Sequence, residues 1–341
     1  MKMNKLRAGA LLLSLVLGLS GCGAPGAQDE RDADAYQTIE LVMAVNGTDT
    51  QIDTRVANYF AQLVEEGSGG NVTVAVFPND QLAGGNATKG IEMIAQGSAD
   101  LAAYATCTLA VIDSQLPVAT IPWSFESYEE ARRVIDESGY KYYAQRLAAK
   151  GITYLGSFHN GFRQITNSKH AIKTPADVKN LKIRVPGSEI YMGFFRTLGA
   201  DPTSMSWSEV FTAIQQGTID GQENGVSVTS TAKMVEVQKH LTMWNYSYEN
   251  DLFIANTLVW ENLEPKTQEL LRVCAVDACN WGRDVLEAEE EALIEGFKDV
   301  GMTVTYLTEE EKAAFADAIA AWKAGIIQQF GADACGAFGI A

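Results

Sequence analysis

The stretch LVMAVNGTDTQIDTRVANYFAQLVEEGSGGNVTVAVFPND, residues 41–80, decides the fold class. Its apolar opening, residues 41–45, stops at Asn46-Gly47, as a short buried strand does before a turn. Ile52, Val56, Tyr59, Phe60, Leu63 and Val64 then recur at helical spacing, and Gly67 is the expected stop. Val72, Val74 and Val76 alternate with Asn71, Thr73 and Ala75, a second strand closed by Pro78-Asn79. A glycine-rich turn at Gly84-Gly85, a helix up to Gln96-Gly97 and a strand at residues 101–104 extend the order to β-α-β-α-β. That rhythm belongs to an α/β sheet with helices on its faces.

Further on, a helix is expected over residues 128–150 and a strand over 152–158, leading into Asn160-Gly161-Phe162-Arg163. The rhythm then restarts. Leu181, Ile183 and Val185 face one side of a strand and Lys182 and Arg184 the other, until Pro186-Gly187 ends it. A helix through Phe194 and Phe195 ends at Gly199. Ser206-Trp207-Ser208-Glu209 is a capping box opening another helix, which stops at Gly217. Residues 218–221 read as a short strand before Gln222-Glu223-Asn224-Gly225, with a further helix after it. Residues 261–297 form a long helical stretch whose charge run, 287–291, reads as a solvated face. Thr308 caps a terminal helix. Domains centre near roughly 100–150 residues, so two α/β lobes are expected, with a late helix long enough to lie across both.

The amino terminus sets the compartment. Lys2, Lys5 and Arg7 precede an apolar run, residues 8–19, shorter than the ~20 residues a spanning helix needs. Leu19-Ser20-Gly21-Cys22 looks like a bacterial lipobox, which makes residues 1–21 a cleaved signal, Cys22 the acylated first residue and residues 22–35 a flexible tether. The expected location is extracytoplasmic, lipid-anchored at the cell membrane. A net charge of −17 argues against nucleic-acid binding, and a hydrophobic content of 47% excludes wholesale disorder. Cys107, Cys274, Cys279 and Cys335 read as small buried hydrophobes, with a long-range disulfide left open. His159, His170 and His240 lack ligand spacing, so no metal and no cofactor are expected.

The chain carries no Gly-x-Ser-x-Gly elbow, Walker loop, Gly-x-Gly-x-x-Gly after the first strand, or His-Glu-x-x-His. An exported hydrolase would need a nucleophile–base pair that is not visible. What remains are polar residues at the carboxyl ends of strands, where open α/β sheets bind ligands. Arg184 stands one residue before its strand gives way to Pro186, and its planar fork matches a carboxylate; otherwise it is a solvated edge arginine. Arg163 has the same two readings. Asn224 is an amide donor or a helix cap, and Trp207 a pocket wall or core.

Phe158 to Gln164, Leu181 to Pro186, Met205 to Val210 and Asp220 to Asn224 occur in that order, and together they resemble the DctP-type solute-binding proteins of tripartite ATP-independent periplasmic (TRAP) transporters. The similarity runs from Leu41 through the terminal helix. It implies a two-lobed, periplasmic-binding-protein-like clamp that captures a small organic acid and delivers it to the small and large TRAP membrane subunits. The lobes would comprise residues 36–160 with about 249–290, and 161–248 with about 291–341. By this resemblance Arg184 holds the ligand carboxylate, Arg163 supports it, Asn224 completes the site, Trp207 packs beside the ligand, and Asn46 reaches in from the opposite lobe. A C4-dicarboxylate, a sugar acid, a keto acid or an aromatic acid all fit. Two departures stand out: Gly225 replaces a common proline, and the stretches at Gly84-Gly85-Asn86 and Tyr104-Ala105-Thr106, expected at the far end of the pocket, lack the acids of sialic-acid binders, which argues against sialic acid and for a smaller or less hydroxylated acid. A sensing partner of a membrane receptor, or the binder of an ATP-driven transporter, would share this fold.

Overall fold

The computed structural model describes residues 35–340; the signal, lipobox and tether, with Cys22, lie outside them. Nine strands form one sheet: β1 (Ile39–Val45), β2 (Val72–Phe77), β3 (Leu101–Ala105), β4 (Ile152–Asn167), β5 (Lys182–Val185), β6 (Asp201–Ser204), β7 (Gly221–Gly225), β8 (His240–Asn256) and β9 (Thr303–Tyr306). The helices before the midpoint are α1 (Ile52–Ser68), α2 (Ala87–Gln96), α3 (Thr106–Leu109), α4 (Tyr128–Val134) and α5 (Tyr140–Ala148). Those after it are α6 (Pro175–Val178), α7 (Glu189–Thr197), α8 (Trp207–Gln215), α9 (Val226–Thr231), α10 (Thr257–Asn262), α11 (Pro265–Asp299) and α12 (Glu309–Ala337).

The sheet order is β2-β1-β3-β8-β4-β7-β5-β6, with β9 on β8. Two parallel groups, β2-β1-β3 and β7-β5-β6, are joined by the antiparallel pair β8–β4. The two expected lobes therefore share one sheet. Strands β4 and β8, of 16 and 17 residues, run through both halves. Their register slips between His159 and Gly161, where Gly161 faces Glu249, and again between Arg163 and Ile165. Such bulges bend a strand and raise its twist. Gly161, at φ +119°, supplies the backbone geometry for the first.

Several expected boundaries move. Gly67 stays helical, and α1 ends at Gly69, whose left-handed φ of 63° lets its N–H reach the carbonyls of Glu65 and Glu66. A π-helical turn, Ile135–Gly139, separates α4 from α5. Arg163 lies mid-strand in β4 rather than on a loop, and Gln222, Glu223 and Asn224 are strand residues of β7 rather than the segment after it.

One face of the first half packs Phe60 of α1 edge-on against Phe253 of β8, 4.7 Å between centroids. Helix α11 lies over α1 there, and Gly282 permits the approach: a Cβ at that position would meet Val56 Cγ2 at 2.3 Å. At its other end α11 brings Ile294 and Phe297 onto Leu241 and Met243 of the second half. At ~1.5 Å per residue its 35 residues are long enough for both. Helix α12 also crosses, with Phe315 on Trp244 and Phe338, just past its end, on Tyr143. The charge run on α11 is not merely solvated: Glu287 meets His159 at 3.1 Å, Glu289 pairs with Arg55 at 2.8 Å, and Glu290 accepts from Tyr128 Oη at 2.5 Å. All four cysteines among the described residues are buried and free. No helix among these residues is long and apolar enough to cross a membrane.

Candidate functional site

Between the two halves lies a cavity of about 40 Å³ whose lining includes Asn46, Arg163, Arg184, Trp207 and Asn224. Five residues singled out from five separate stretches of sequence thus line one cavity. Beyond Arg184 and Trp207 the space continues into a groove of about 430 Å³ past Thr88, Val111, Ser204 and Met205. Across the groove Ser208 of α8 donates to the carbonyl of Gly85 at 3.2 Å, a direct contact between the halves.

Arg184 is buried, with 4% of its surface exposed, so the solvated-edge reading does not hold. Its Nε and Nη2 both donate to the Met205 carbonyl, at 3.1 and 2.9 Å, and its guanidinium stands 5.2 Å over the Trp207 ring. Nη1 has no partner, and no carboxylate within ion-pair distance answers the charge among the described residues. Burial pushes the Arg184 pKa down to about 10, with repulsion from Arg163 adding to it and Glu223 pulling part of the way back. It is still a cation at neutral pH, and a desolvated cation without an anion is an unfavourable arrangement on its own.

Arg163 is different. Its Nε and Nη2 form a forked pair with Glu223 Oε2 and Oε1 at 2.5 and 2.9 Å, and Nη2 also reaches the Glu223 carbonyl at 3.0 Å. Tyr246 donates to the same carboxylate at 2.7 Å, and the Tyr191 ring lies 4.9 Å from the guanidinium. Burial would lower Arg163, but Glu223 outweighs it and holds the group well above the usual arginine value. Only Nη1 is left for a ligand.

Asn224 does not cap α9 with its side chain; its Oδ1 accepts from the Gly225 N–H at 3.0 Å, which leaves the amide NH₂ to the cavity. Gly225 adopts φ −62°, an angle proline shares, but a Cβ there would meet the Asn160 carbonyl at 2.6 Å. Trp207 is half-buried at the first turn of α8, behind the capping box made by Ser206 and Glu209. From the first half, Asn46 at the end of β1 donates to Asp80 Oδ2 at 2.5 Å.

Sequence reasoning missed Gln51, Asp53 and Asn160, which line the same cavity. Asp53 accepts from the N–H groups of Gly47 and Thr54, at 2.7 and 2.9 Å, and burial raises its pKa to about 6. Their positions just after the Asn46-Gly47 turn and inside the quoted Phe158 to Gln164 stretch were the available signals. Of the two stretches expected at the far end, only Ala105 borders the cavity, and the acid there comes from Asp53 instead. The lack of acids in those stretches therefore says less about the ligand than it suggests.

A cleft between two α/β halves that share long crossing strands, with a buried arginine on its wall, is the kind of place where a solute-binding protein holds its ligand. The chain belongs to the DctP family, bacterial extracellular solute-binding protein family 7, whose model matches residues 43–328. It is 30% identical over 285 residues to the 2,3-diketo-L-gulonate-binding periplasmic protein YiaO of Escherichia coli, covering 84% of this chain and 85% of that one. It is 31% identical over 276 residues to the C4-dicarboxylate-binding periplasmic protein DctP of Rhodobacter capsulatus, covering 80% and 82%. Among solved structures it is similar to a TRAP periplasmic solute-binding protein from Ralstonia eutropha H16 with bound (S)-2-acetolactate: TM-score 0.85, 30% identity, 89% of this chain and 98% of that one. Members of this family bind solutes outside the cytoplasm and are not enzymes.

Proposed function

We propose that this protein captures a small organic acid outside the cytoplasmic membrane and hands it to the two membrane subunits of a TRAP transporter, without catalysing a reaction. One observation carries the reading: Arg184 is a buried cation facing a cavity with no carboxylate partner among the described residues. A ligand carboxylate would supply the missing anion, in a site whose dryness strengthens the pairing. Arg184 makes the primary contact, Arg163 Nη1 and Asn224 Nδ2 add donors, Trp207 walls the ligand, and Asn46 holds its other end. The ligands named for the relatives, a diketo sugar acid, a C4-dicarboxylate and acetolactate, all carry a carboxylate.

Capture proceeds by hinge closure between residues 36–160 with about 249–290 and residues 161–248 with about 291–341. Support comes from the bulge in β4, where Gly161 faces Glu249 at that boundary. Cys22, the acylated first residue once residues 1–21 are removed, anchors the protein, and residues 22–35 give it reach. The test is a thermal-shift screen of the purified protein against small organic acids. A ligand at a hundredfold excess over its Kd stabilises by about 2.7 kcal/mol, so one acid class should raise the melting temperature, and Arg184→Ala should remove the rise. A neutral or cationic solute that shifts the protein while no carboxylate does would overturn the reading.

A further inference from the structure

The two ends of the cavity have opposite hydrogen-bonding character, and three asparagine amides set it. At the second-half end, Gly225 N–H holds Asn224 Oδ1, so Asn224 offers its NH₂ beside Arg184 and Arg163 Nη1. That end consists of donors. At the first-half end the amides are turned the other way. Asn46 directs its NH₂ to Asp80 at 2.5 Å, and Asn160 directs its NH₂ to Asp251 at 3.1 Å. An amide whose NH₂ faces a carboxyl group presents its carbonyl oxygen on the opposite side. Asn160 Oδ1 is buried and has no partner among the described residues. The Asp53 carboxylate lines the same end, where Gln51 Nε2, also buried and without a partner, is a donor.

We infer that the ligand is a short hydroxylated monocarboxylate, its carboxylate on Arg184 and Asn224 and its hydroxyl hydrogens on Asn46 Oδ1 and Asn160 Oδ1, and that the first-half end rejects a second carboxylate. The inference rests on the carboxylate clamp proposed above and narrows its substrate class. A hydroxyl group both donates to these oxygens and accepts from Gln51. A second carboxylate has no hydrogen to donate and meets the Asp53 charge. Selection against the wrong ligand by like-charge repulsion is a standard route to specificity.

The test is titration calorimetry of the purified protein at neutral pH with acids paired by chain length: erythronate against succinate, and galactonate against adipate. The hydroxy acid of at least one pair is expected to bind about 100-fold tighter than its dicarboxylate. A dicarboxylate that binds as tightly as its partner or tighter overturns the inference and leaves the clamp standing. If neither hydroxy acid binds, the inference fails, while the clamp is decided separately by the wider screen of organic acids. Asp53→Asn is expected to improve dicarboxylate binding about tenfold, and an unchanged ratio overturns the assignment to Asp53. Should that variant fail to fold, the paired comparison on the unaltered protein still decides.

Discussion

Arg163 and Glu223 close a forked ion pair at the buried centre of the molecule, Nε to Oε2 at 2.5 Å, and this pairing leaves Arg184 as the cation the cavity presents. The two arginines sit on β4 and β5, on either side of β7, yet one is neutralised within the protein and the other awaits its counter-ion.

Removing Arg184 should therefore separate stability from binding. Truncating one partner of a buried hydrogen-bonded charge pair costs about 2–5 kcal/mol, and a micromolar binder has about 8 kcal/mol in total. Arg184→Ala should abolish measurable binding. Arg184→Lys should weaken it severely, because a point charge replaces the fork. Arg184→Met should do the same while raising the ligand-free stability on the order of 1 kcal/mol, since the desolvated charge is gone. Calorimetry and ligand-free melting curves check both; a lysine variant of unchanged affinity would sink the role given to Arg184.

Glu223 is expected to behave oppositely. Glu223→Gln leaves Arg163 buried without its anion and should destabilise the fold by about 3–5 kcal/mol. Replacing both residues with apolar ones, Arg163→Met with Glu223→Leu, should recover much of that loss. Urea unfolding of the two singles and the double gives the comparison, and a double variant no more stable than the singles would contradict the pair's structural role.

His159 should make the fold acid-sensitive. It is buried between Tyr248 Oη at 2.6 Å and Glu287 at 3.1 Å, with the Tyr128 ring 4.8 Å away. Burial lowers its pKa below 6.5; Arg283 and Arg132 act in the same direction and Glu287 opposes them. The unfolded chain then takes up a proton first as pH falls through 6.5, so this contribution to stability declines below that point. The stability difference between the unaltered protein and His159→Gln should shrink from pH 7 to about pH 5, measured as unfolding free energies across that range. A difference that stays constant would show that His159 does not titrate with folding.

Ser208 reaches the Gly85 carbonyl from the other half, at 3.2 Å, at an exposed position. One such hydrogen bond contributes about 0.5–1.5 kcal/mol. Ser208→Ala should speed ligand release by a factor of about 2–13 while leaving association nearly unchanged, as read by stopped-flow displacement. An unchanged release rate would remove Ser208 from the closure.

How far this was legible follows from particular residues. Val72, Val74 and Val76 alternate because they pack on the same core, Val72 buried and the other two partly so, and Ile52, Val56 and Phe60 repeat at helical spacing because they form the buried face of α1, so the first half could be read directly. The capping boxes at Ser206 and Thr308 marked α8 and α12 for the same local reason. Strand β8 could not be read this way. Its polar residues resemble a loop, yet Glu249 accepts from Thr106 and Tyr191, and Asn250 Oδ1 from Tyr143, all distant in sequence. Strand β7, Gly221–Gly225, reads as a turn by composition and is held as a strand by pairing with β4. The site was legible on the arginine side, where charge at a strand end is conspicuous. It was obscure at Gln51, Asp53 and Asn160, whose local pattern matches ordinary helix starts and turns.

The most direct measurement is a crystal structure of the protein with the tightest-binding acid from the screen. The expected result is a ligand carboxylate within hydrogen-bonding distance of Arg184 Nη1 and Asn224 Nδ2, with ligand hydroxyls on Asn46 and Asn160. A ligand seated elsewhere, or one in this cavity whose carboxylate leaves Arg184 without an anion, would contradict the clamp.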